Sequence, residues 1–178
     1  MSIRQLNATY SKEEDRVLFR FTTVANEEFR LWLTRARVAQ ILALGTRAAE
    51  VKLEREDHIP SQAKAIAEFR QQAVQQNTPF TEFEPAAQLP LGEVPPLVLE
   101  IQMSIENELF ALQMKLSGGK TLTMRLTEDL LGKLRVLLEK ITQSANWGLV
   151  SAAPSQAPNP SPESSTPTPP SDSGKILH

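Results

Sequence analysis

The chain has 178 residues, 40% apolar and 22% charged, and its 19 basic and 21 acidic side chains leave a formal net charge of −2. That is room for one ordinary domain or two very small ones, and it excludes a surface that is everywhere a polyanion trap, though not a local basic patch. With no cysteine and only His58 and His178, disulfides, thiolate metal sites, cysteine nucleophiles and a Ser-His-Asp triad have little or nothing to be built from.

The first residues, MSIRQLNATYSKEED, hold no apolar run of signal-peptide length. The longest apolar stretches, such as Pro95–Leu99, are far short of a membrane span. A cytoplasmic chain with no membrane association is expected.

In chain order, Leu6, Ala8 and Tyr10, then Val17, Phe19 and Phe21, then Phe29, Leu31 and Leu33 each recur at every second position. Period two with one apolar side predicts three strands with one buried face. The turns fall at Ser11–Asp15 and Ala25-Asn26-Glu27, where Asn suits a positive φ. Val38, Ile41 and Leu44 lie three apart, which predicts a helix from Thr34 to at least Leu44, with Gly45 ending or bending it. Residues 50–54 fit a helix or a short strand. Pro60 and Ser61 start another helix reaching about Gln76, with Ile66, Phe69 and Ala73 along one side. Residues 77–96 carry five prolines and read as an extended connection, anchored on the body by Phe80, Phe83, Leu89 and Leu91.

The same pattern then returns. Shifted by 93 residues without a gap, the nine strand positions above meet Leu99, Ile101, Met103, Phe110, Leu112, Met114, Leu122, Met124 and Leu126. The three helix positions meet Leu131, Leu134 and Leu137, and Thr34 meets Thr127. Ser117-Gly118-Gly119-Lys120 is the second hairpin turn, and Glu106–Glu108 the first. Thr127 is a natural N-cap followed by Glu128 and Asp129, where the helix dipole favours acids. This helix should end near Ser144–Trp147, with Trp147 as a lid on the core. From Ser151 the composition becomes Pro/Ser-rich, with seven of each in 28 positions, and a disordered tail is expected.

The fold class that follows is α+β, a tandem duplication of a βββα unit. The two units would relate by a pseudo-twofold axis, with antiparallel sheets and helices packed on one face. The organisation is a first copy over 1–57, a helix plus Pro-rich connection over 58–96, a second copy over 97–150 and the tail over 151–178.

No phosphate loop, HExxH, EF-hand loop or GxSxG occurs. The acids Glu13-Glu14-Asp15 read as a solvated turn, and Asp57-His58 has no further ligand at helical or strand spacing. No catalytic, metal or cofactor-binding residue is assigned, and the chain is expected not to be an enzyme. One local rule is broken: Arg35 and Arg37 stand in the first turn of the first helix, where cations are disfavoured. With Thr34 they form a candidate anion site. The outward strand positions Leu18, Arg20, Thr22, Arg30 and Trp32 contain no acid and suggest a stacking platform. The candidate partner face is therefore Arg20, Arg30, Trp32, Thr34, Arg35 and Arg37.

Paired sheet-then-helix halves resemble in topology the Whirly-type single-stranded-DNA-binding fold, whose units have four strands where three are read here. The resemblance rests on topology, so no residue role is carried over. The leading expectation is a non-enzymatic interaction module, assembling with itself as a homodimer or with a protein partner. The alternative is a single-stranded nucleic-acid-binding protein that uses the basic Trp/Arg face.

Overall fold

The computed structural model describes residues 2–56, 58–77 and 82–148. The alternating segments form β1 (Ile3–Ser11), β2 (Arg16–Thr23) and β3 (Glu28–Thr34), an antiparallel sheet in that order. Helix α1 (Arg35–Arg55) follows without a loop, and then α2 (Pro60–Asn77). A second antiparallel sheet holds β4 (Val98–Glu106), β5 (Leu109–Leu116) and β6 (Thr121–Leu126), and α3 (Glu128–Ser144) closes the described chain. Among the described residues the architecture is α+β, with two three-stranded sheets and three helices. The expected tail lies outside the described residues, as does Phe80. No helix among the described residues is long and apolar enough to cross a membrane.

The alternation does what it predicts. Val17, Phe19, Phe21, Leu31 and Leu33 of the first sheet, and Phe110, Leu112, Met114, Met124 and Leu126 of the second, are essentially inaccessible and share one core. The helices are exchanged between the halves. Among the strands, helix α1 lies chiefly against β4, and α3 chiefly against β1. The two helices run antiparallel. Arg35 at the start of α1 donates to the carbonyl of Trp147 just past α3, and Lys52 in the last turn of α1 lies 3.5 Å from Glu128 at the start of α3. Each half thus completes the other's core, which neither one-sided sheet could close alone.

Gly45 does not end α1, which runs unbroken through residues 50–54 as well. Glycine stands there because α3 passes close: a Cβ at Gly45 would lie 3.2 Å from Arg135 Cδ and 3.3 Å from Leu131 Cδ1. Helix α2 departs from its predicted face. It buries Ala63, Ala67 and Gln71, four apart, against Leu53 of α1 and the Gly132 carbonyl of α3, while Phe69 is 72% exposed. Small residues let it approach its neighbours, so the bulky side chain is not its anchor.

The turns of the two halves correspond in detail, with one correction to the gapless alignment. Thr23 N–H bonds Glu27 and Asn26 N–H bonds Thr23; Leu116 and Gly119 repeat both contacts 93 residues on. Thr34 Oγ accepts from the N–H of Arg37 as Thr127 Oγ does from Leu130. In the first strands, however, Ala8 faces Phe19 and Tyr10 faces Val17, while Met103 faces Leu112 and Ile105 faces Phe110. The equivalent of Ala8 is therefore Met103, not Ile101. The first hairpin turn is two residues shorter in the second half, and Leu99 lies in the irregular step of β4, 42% exposed.

Candidate functional site

Residues of β2 and β3 that turn away from the core form the first sheet's outer face. Arg20 stands opposite Arg30, and Leu18 opposite Trp32. The face is not free of acids: Glu28 shares the parity of Arg30 and Trp32, and its side chain is fully inaccessible. That acid was legible in the sequence from its spacing alone.

The segment 82–97 lies along this face. Glu28 N–H donates to the Gln88 carbonyl at 2.7 Å, and Ala86 N–H donates to Glu28 Oε2 at 3.3 Å. Phe83 sits under the Arg20 guanidinium, 4.4 Å from ring centroid to Cζ, and Arg20 also donates to Asn7 Oδ1 at 2.8 Å. Arg30 Nε donates to Glu28 Oε1 at 2.8 Å. Burial alone would raise the Glu28 carboxyl. The Arg30 and Ala86 hydrogen bonds, with the charges of Arg30 and Arg20, outweigh burial and hold it below its usual value. Trp32 is half-buried; its backbone N–H donates to the Pro96 carbonyl, and a single bridge to Leu97 is where β3 meets the approach to β4. The backbone edge of β3 at Trp32 is thus occupied by its own chain.

Thr34, Arg35 and Arg37 lie together at the start of α1, but on separate duties. Thr34 caps the helix, Arg37 donates to Gln40 Oε1 at 2.6 Å, and Arg35 reaches the Trp147 carbonyl. A cation at this helix start is explained by the neighbouring end of α3, where carbonyls collect negative charge. Neither Glu82 nor Glu84 pairs with Arg35 or Arg37; Glu84 pairs with Arg4, and the Glu82 carbonyl accepts from Gln5.

Asp15 is also not a merely solvated tip. At φ 46° it turns its carboxylate to the Tyr10 hydroxyl at 2.8 Å and the Trp147 indole N–H at 3.0 Å. Those two hydrogen bonds lower the Asp15 pKa, and the Tyr10 bond raises that of the tyrosine hydroxyl. Trp147 is 4% exposed and meets Tyr10 edge-on, the lid its position suggested.

The second sheet's outer face is different. Gln102, Ser104, Gln113, Thr121 and Arg125 are exposed, Lys115 pairs with Glu100 at 3.0 Å, and Arg125 lies 3.9 Å from Glu106. Strand β6 pairs with β5 on one side, and no strand among the described residues pairs with its other side. No protein family matches the chain, and no match was found among curated proteins or solved structures.

Proposed function

We propose that this protein is a non-enzymatic interaction module of the cytoplasm, built by duplication of a βββα unit about a pseudo-twofold axis. It assembles with itself, or with a protein partner, through the second sheet. The observation that carries this reading is the unpaired edge of β6 beside an open polar face. An edge strand presents a row of backbone donors and acceptors that another strand can pair with. The repeated turn and cap hydrogen bonds support the duplication.

Light scattering across a wide concentration range tests self-assembly. A dimer that dissociates in the double variant Thr121→Lys/Thr123→Lys supports pairing at β6, since edge lysines oppose it. A chain that stays monomeric at every concentration removes the self-assembly arm.

The nucleic-acid reading asks more of the molecule. Arg20 and Arg30 already have partners in their own chain, so a strand reaching Trp32 would first have to displace segment 82–97. Salt-dependent binding of a labelled single-stranded oligonucleotide, lost on replacing Arg20 and Arg30, would favour that alternative instead.

A further inference from the structure

Glu28 and Arg135 are the two buried ionised side chains among the described residues. Glu28 has its arginine. Arg135, on α3 and 7% exposed, has a buried Nε with no hydrogen-bond partner among the described residues. Burial pushes its pKa below the usual arginine value, against the pull of Glu139 and Glu50. A buried cation with an unbonded donor is costly, and its stem packs closely on α1 at Gly45, where a Cβ would lie 3.2 Å from its Cδ.

This side chain lines a cleft of about 340 Å³ between α1, α2 and the first turns of α3. Its walls are mainly apolar, from Ala49, Leu53, Ala73 and Val74, with exposed Phe69 among its lining residues. Arg70, Gln71, Glu128 and Asp129 also line it, and the size and the mixture of apolar walls with a few polar groups are those of a small-molecule site. The acids around it already have partners. Glu128 is held by Arg70 at 2.5 Å and Lys52 at 3.5 Å, and Asp129 by Lys133 at 2.7 Å. Glu50 is held by Arg47 at 3.2 Å, and Glu139 accepts from Gln75 at 2.7 Å. Glu139 and Glu50 act on the Arg135 charge from a distance, but neither hydrogen-bonds its buried Nε, which is left unsatisfied beside the apolar cleft.

We propose that this cleft binds a small amphiphile with one anionic head and an apolar body, of the class of medium-chain alkyl carboxylates. The head meets the Arg135 guanidinium, which is built for a planar carboxylate, and the chain lies between α1 and α2.

The test titrates the full chain with octanoate, 1-octanol and octylammonium, following backbone amide shifts by NMR. Octanoate should bind at least tenfold more tightly than octanol, and octylammonium more weakly than either, with shifts clustered at residues 49–53, 67–74 and 131–135. Arg135→Met should bring octanoate and octanol to equal affinity. Ala73→Trp, which fills the cleft from the half-buried face of α2, should abolish both. If octanoate binds no better than octanol, or its shifts map elsewhere, the proposal is wrong. The same holds if a folded Arg135→Met variant keeps the preference. Should Arg135→Met fail to fold, the octanoate–octanol comparison on the native chain and on Ala73→Trp decides.

Discussion

The two sheets have the same strand order and bury comparable inner faces, yet their outer faces are put to opposite uses. On the first, arginines, an inaccessible glutamate and Trp32 hold the chain's own connection, 82–97, in place. On the second, charges of both signs pair, Lys115 with Glu100 on the neighbouring strand and Arg125 with Glu106 across β5, and remain in water. The difference teaches that a basic, aromatic strand face is not by itself a sign of an external partner. Such a face serves equally well to bind an internal segment, and one buried carboxylate is the mark that it does.

The largest expected effect tests the likeness of the inner faces. Phe21, stacked on Phe29 with centroids 4.8 Å apart, and Met114, opposite Leu122, occupy matching places. Phe21→Ala and Met114→Ala should each cost about 2–5 kcal/mol in urea unfolding. A cost confined to one of them would break the comparison at its base.

The outer faces should then diverge. Glu28→Ala strands the Ala86 N–H and the Arg30 guanidinium, which is 32% exposed, and should cost about 1–3 kcal/mol. Proteolysis within 82–97 should quicken in parallel. Because the Glu28 carboxyl is held below its ordinary value of 4.5, its contribution is present above that pH and fades as pH falls through the lower native value. Glu28→Gln should therefore flatten the stability profile below pH 4.5, and an unchanged acid limb would show that the pair contributes little.

Arg35→Ala is a finer discriminator. The helix dipole alone predicts a gain in stability, whereas loss of the Trp147 carbonyl contact predicts a decrease of about 0.5–1.5 kcal/mol. We expect the decrease, with a shift in Trp147 fluorescence. Smallest of all, Glu100→Gln on the open face should change stability by less than about 0.5 kcal/mol, because both partners of its ion pair are more than half exposed.

Much of this architecture is legible in the sequence. The period-two triplets locate the six described strands, and Thr34 and Thr127 mark two helix starts, because one-sided burial and capping are local rules. The features that escape are tertiary. Gly45 reads as a breaker until the closeness of α3 is known, and Phe69 reads as core until the small residues of α2 prove to be the contact. The two-residue difference in the first turn is hidden because Leu99 and Ile101 are both apolar, so a slip of two keeps the pattern intact. The stacking of Arg20 on Phe83 depends on a segment more than fifty residues away, which no local pattern reports.

The exchange of helices between the sheets bears on how the chain folds and comes apart. The core needs β1 beside α3 and β4 beside α1, contacts that join the two ends of the described chain. Neither half can ripen first and wait, so folding should be slow for this size and unfolding should be one event for both halves. By the same geometry, the peptide link between the halves is not what keeps them together. A chain cleaved between Asn77 and Glu82 should remain a single particle until denatured, its two fragments interlocked like clasped hands.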